Sequence, residues 1–98
     1  MKAGYVLTPE AEQDLEDVFF FVRDRFGLPV AERVWTAYLE AFEQIATFPE
    51  SGAVRPDLWP PPFRFVTVGP GLIAYRSDSR PVQIVRLARA ARDWSGMK

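Results

Sequence analysis

The sequence predicts an α+β fold of two layers: an N-terminal strand, an antiparallel helix hairpin, a three-stranded antiparallel meander and a short C-terminal tail. Three observations predict it. Two long stretches in the first half repeat apolar residues with helical spacing. Proline and glycine break the second half into short runs rich in β-branched and aromatic residues. A short apolar run, Tyr5-Val6-Leu7, precedes the first helical pattern. A helix hairpin must bury its apolar face, and the sheet is the only large partner available.

Tyr5-Val6-Leu7 is the first strand. It can lie at an edge or in the middle of the sheet, and the sequence leaves that open. Thr8-Pro9 then signals a helix start, with Thr8 as N-cap and Pro9 in the first helical position. Glu10, Glu12 and Asp14 sit in the opening turns, where the helix dipole favours negative charge. Apolar residues at 11, 15, 18, 19, 22 and 26 keep the helical period. Gly27 suits a C-terminal cap, and Pro29 blocks continuation. A second helix is expected over about 30–48, with Ala31, Val34, Trp35, Tyr38, Phe42 and Ile45 on one face and Pro49 as its stop. The short connection at 27–29 makes the pair antiparallel.

Residues 49–62 hold Pro49, Pro56 and Pro60-Pro61-Pro62 and read as an ordered connection. Strands follow over 63–68, 72–76 and 82–89. Gly69-Pro70-Gly71 and Ser77-Asp78-Ser79 supply the reversals between them.

The 98 residues make one domain spanning 1–98. Cysteine and histidine are absent, which removes thiolate chemistry, the commonest general base and the commonest transition-metal ligand. No cofactor or metal site is expected. No apolar run is long enough to span a membrane, and the N-terminus lacks a signal-peptide core, so the expected location is cytoplasmic. The net charge of −1 hides a division. Residues 1–50 carry four basic side chains against ten acidic ones, a net of −6. Residues 51–98 carry eight against three, a net of +5. A basic half predicts an anionic partner, either nucleic acid or an acidic protein segment.

Several stretches together resemble the ParE branch of the ParE/RelE superfamily of type II toxin–antitoxin toxins. They are the run from Tyr5 to Leu15 with its Ala-x-x-Asp-Leu helix opening, Phe48-Pro49-Glu50-Ser51-Gly52, Arg55-Pro56-Asp57-Leu58, Phe63-Arg64-Phe65, Ala74-Tyr75-Arg76, and the run from Ile84 to Asp93 with its Arg-Asp ending. No single piece is specific; their order and spacing are. One departure is plain: Arg89 stands where many relatives carry histidine, and Ala90 where glycine is common. The resemblance implies a toxin that inhibits DNA gyrase, or its relative topoisomerase IV, without catalysis. It also implies a cognate antitoxin partner, in a toxin–antitoxin hetero-oligomer, and no small-molecule substrate. Two alternatives stay open: a RelE-like ribosome-dependent mRNA endoribonuclease, and a non-toxic binding module of the same fold.

Nuclease chemistry needs a base, an acid and a cation for the phosphate. Arg64, Arg76 and Arg86 can hold a phosphate, but arginine is a poor proton shuttle. The lysines lie at positions 2 and 98, and no tyrosine follows the last strand. The expected target surface is a positively charged β-surface centred on Arg86, Arg89, Arg92, Asp93 and Trp94, with Arg64 and Arg76 as further candidates. Whether the arginines share one face is open, because both alternation phases of 82–89 carry one. Each candidate also has a plainer reading. Arg86 can tie its strand to loop carbonyls or to Asp93. Arg64 and Arg76 can point to solvent on an open sheet face. Arg92 and Asp93 can form a terminal salt bridge, and Trp94 can lid the core. The acidic residues of the first helix read as a solvated face. In the run 19–22, Phe19 and Val22 fit the buried stripe, which leaves Phe20 and Phe21 as candidates for antitoxin binding near the basic sheet. Self-association through the same phenylalanines is the competing reading.

Overall fold

The computed structural model describes residues 4–89, the side chain of Arg89 excepted. The elements run β1 (Tyr5–Leu7), α1 (Pro9–Phe26), α2 (Leu28–Thr47), β2 (Phe63–Val68), β3 (Gly71–Arg76) and β4 (Val82–Arg89). Thr8 caps α1 as its chemistry dictates: the hydroxyl accepts the Ala11 N–H at 3.1 Å. Gly27, at φ 94°, both ends α1 and begins α2. Its N–H donates to the Arg23 carbonyl, and its own carbonyl accepts the Ala31 N–H. The second helix therefore starts two residues before the expected position. Pro29 does not delay it, because a first-turn N–H has no helical acceptor to lose.

The four strands lie in the order β1-β4-β3-β2. The meander is antiparallel, as the turns dictate. The first strand takes the edge, parallel to β4, with Tyr5 opposite Val82 and Leu7 opposite Ile84. The helix hairpin carries the chain from β1 to β2 at the opposite edge of the sheet, and the meander brings β4 back beside β1.

The helix side of the sheet holds the larger core: Leu15, Tyr38, Phe42, Ile45, Ile73, Tyr75, Val82, Ile84 and Leu87. The other face is not open. Trp59, from the proline-rich connection, is 1% exposed and packs with Phe65, Leu72, Ala74 and Ala88. Its ring meets Phe63 at 5.0 Å and Phe65 at 5.9 Å, both edge-on. The connection is thus a cover for the second sheet face.

β4 carries a bulge. Tyr75 pairs with Ile84, but Ala74 pairs with Arg86, which leaves Val85 as the extra residue. The insertion changes the alternation phase. Ile84 and Leu87, three residues apart, enter the same core, while Val85 and Ala88 pack on the other face.

Candidate functional site

The described arginines do not share a surface. On β2, Arg64 is in phase with Val66 and Val68, which face the helix-side core. Its Nη1 donates to the Gly52 carbonyl at 2.9 Å and the Glu50 carbonyl at 3.3 Å. Arg76 stands directly opposite Phe63, on the other sheet face. Its guanidinium grips Asp78 through two hydrogen bonds, at 3.1 and 2.9 Å, and lies 5.8 Å from the Phe63 ring centre. Arg86 reaches α1, where Nε and Nη2 donate to the Asp14 carboxylate at 2.8 and 3.1 Å. The expectation of a single positive β-surface therefore fails for these three side chains. The bulge is one reason; the opposite phases of Arg64 and Arg76 are the other.

Asp14 is the residue that sequence reasoning missed. Its Oδ2 also accepts the Leu87 N–H at 2.9 Å, and its side chain is only 12% exposed. Six residues earlier, at the start of the helix, the Thr8 hydroxyl donates to the Val85 carbonyl at 2.8 Å. The two side chains fasten the bulge on both sides. The hydrogen bond it donates to Asp14 pushes the pKa of the Arg86 guanidinium further up, so it stays cationic throughout the accessible pH range. A signal was present: Asp14 lies three residues after Ala11 and four before Val18, on the buried stripe and not the solvated face. Arg89 closes β4 opposite Gly71. Arg92, Asp93 and Trp94 lie outside the described residues.

Two of the tyrosines are sealed. Tyr75 is buried; its hydroxyl donates to the Pro49 carbonyl at 2.7 Å and accepts the Gly52 N–H at 3.0 Å. Burial pushes the Tyr75 and Tyr38 hydroxyls above their usual range, so both hold their protons at neutral pH. Among the described residues no group of three or more acidic side chains is arranged to hold a metal ion. No described helix is long and apolar enough to cross a membrane.

Phe20 and Phe21 leave α1 exposed, at 45% and 38%. Phe20 lines a groove of about 720 Å³ between α1 and α2, with Phe19, Trp35, Glu16, Glu32 and Thr36. Phe19 holds the groove together, edge-on to Trp35 at 5.4 Å and to Phe20 at 5.6 Å. The Arg23 guanidinium lies 4.8 Å from the Phe20 ring centre, and Arg25 equally far from Phe21. The structure thus separates the two candidate sites: an aromatic groove on the acidic hairpin, and a clamped arginine at the bulge of β4.

The family described as the ParE toxin of the type II toxin–antitoxin system parDE matches residues 5–94. A solved structure described as the chromosomal ParDE TA system from P. aeruginosa superimposes with a TM-score of 0.74 at 23% identity. The superposition covers 88% of this chain and 94% of that one, a likeness of fold. No curated protein matches the chain.

Proposed function

The chain belongs to the ParE toxin family of type II toxin–antitoxin systems, and we propose that it acts as the toxin by inhibiting DNA gyrase without catalysis. A cognate antitoxin holds it silent in a hetero-oligomer, in the cytoplasm where gyrase works. The observation that carries this reading is the family match across residues 5–94. The geometry supports the non-catalytic form. Arg64, Arg76 and Arg86 have intramolecular partners at three separate places. The Tyr38 and Tyr75 hydroxyls, the proton donors nearest the helix-side core, are buried. No described pair of groups combines a phosphate grip with a proton shuttle, as RNA cleavage requires.

Contact with gyrase then falls to the end of β4 and the chain after it: Arg89, Arg92, Asp93 and Trp94. Arg86, held by Asp14, anchors that end. Phe20 and Phe21 belong to the antitoxin. The purified chain should block supercoiling by gyrase at micromolar concentration and accumulate cleaved DNA. The variant R89A/R92A should lose both effects. Full gyrase activity at micromolar toxin overturns the reading, as does codon-specific cutting of transcripts.

A further inference from the structure

We propose that the groove between α1 and α2 takes a cationic amphipathic segment: an apolar side chain seated among Phe19, Phe20 and Trp35, with lysine or arginine on both flanks. This inference rests on the proposal that Phe20 belongs to the antitoxin, and adds the chemistry of the segment that binds there.

Both walls of the groove repeat one pattern. On α1, Glu16 precedes Phe19 and Phe20 by three and four residues. On α2, Glu32 precedes Trp35 and Thr36 by the same spacing. Residues three and four apart on a helix are surface neighbours, so each glutamate lies one turn from the ring it flanks. The floor is apolar and both rims are anionic. The nearest cation, Arg23 over Phe20, is already paired with Asp24 at 3.1 Å. On α2 the adjoining surface adds Arg33 against Glu32 and Glu40. The two helices together carry three arginines against nine acidic residues, a net of −6, of which only Asp14 is turned inward to Arg86.

Charge also decides against a second copy of this chain. A symmetric pair joined groove to groove would set Glu16 and Glu32 against the same residues of its partner. An acidic antitoxin segment, expected from the basic half of the sequence, would meet the same repulsion here. It suits the basic C-terminal half instead. A segment that covers both regions must change sign along its length.

The test measures the dissociation constant of the antitoxin from the adjoining reading frame for the full chain and three variants, F20A, E16Q/E32Q and E16K/E32K. All the altered side chains are exposed, so the fold should persist. Weakening by F20A, together with weakening by E16Q/E32Q and a loss of tenfold or more in E16K/E32K, is the expected result. If F20A weakens binding but E16K/E32K leaves it unchanged or tighter, the cationic occupant is wrong while the groove stands. If F20A has no effect, the groove reading fails and takes this one with it. A homodimer of the isolated chain, dispersed by F20A in sedimentation, would also overturn the proposal, since the occupant would then be a second copy.

Discussion

Asp14 accepts three hydrogen bonds at once, from Arg86 Nε, Arg86 Nη2 and the Leu87 N–H. Removing it takes two hydrogen bonds from a partly buried guanidinium and the acceptor from a backbone donor together. Asp14→Ala should therefore cost about 2–4 kcal/mol of unfolding free energy, read from urea melts. Arg76→Ala is the control. It breaks an ion pair of similar geometry whose side chains are 42% and 47% exposed, and the midpoint should not move. A second residue-level dependence joins Gly52 and Tyr75. A Cβ on Gly52 would stand 2.6 Å from the Tyr75 hydroxyl oxygen and 3.0 Å from the Phe65 carbonyl oxygen. Gly52→Ala should cost about 1–3 kcal/mol through that clash. Tyr75→Phe should cost about 1–2 kcal/mol by leaving the Gly52 N–H and Pro49 carbonyl without their partner. The double variant should cost less than the two together, because removing the hydroxyl relieves the closest part of the collision and leaves the Tyr75 Cε1 contact at 2.8 Å. Additive costs would show that the hydroxyl is not what excludes alanine.

Between β2 and solvent lies a segment that the sequence describes poorly. Residues 49–62 read as a connection because proline dominates their composition. In the structure, Ala53 exchanges two backbone hydrogen bonds of 2.9 Å with Phe65, covering the outer edge of β2. Trp59 then closes the second sheet face. Trp59→Ala should cost about 3–5 kcal/mol and expose an apolar surface that binds a hydrophobic dye, while the helix-side core persists. A loss below about 1 kcal/mol would mean that the cover contributes nothing. The helices and strands were legible because helical period, capping and turn residues are local signals; Thr8, Pro9 and Gly27 mark the ends of α1 directly. The position of Trp59 was not, since its burial depends on strands that follow it. The bulge was hidden for the same reason: Val85 is an ordinary strand residue until Asp14 and Thr8 fix its neighbours. Of the candidate residues, Phe20 and Phe21 were legible as misfits to the buried stripe. The acidic surroundings of Phe20 depend on how α1 and α2 face one another. Arg64 and Arg76 were legible as cations, and their opposite sheet faces required the register.

At the scale of the whole molecule, charge and titration follow from composition once the burial is known. The absence of histidine and cysteine leaves no side chain with an ordinary pKa between about pH 5 and 8. Stability should therefore stay nearly flat across that window. The alkaline limb is different. Burial pushes all three tyrosines, Tyr5, Tyr38 and Tyr75, above their ordinary value of 10.0. A raised pKa means that the folded chain keeps a proton which the unfolded chain releases. The stabilisation is complete below pH 10.0 and is lost as pH climbs from there through the folded values. Each such proton tilts the unfolding free energy by about 1.4 kcal/mol per pH unit. Tyr38 gives the cleanest probe, because its ring is 4% exposed and its hydroxyl lies against Gly71, where even a Cβ would collide. Urea midpoints of the unaltered chain should hold steady from pH 6 to 9 and fall above pH 10, and Tyr38→Phe should lessen that fall by one proton's share. A variant that keeps the full alkaline slope would show that the Tyr38 hydroxyl ionises as readily in the folded chain as in the unfolded one.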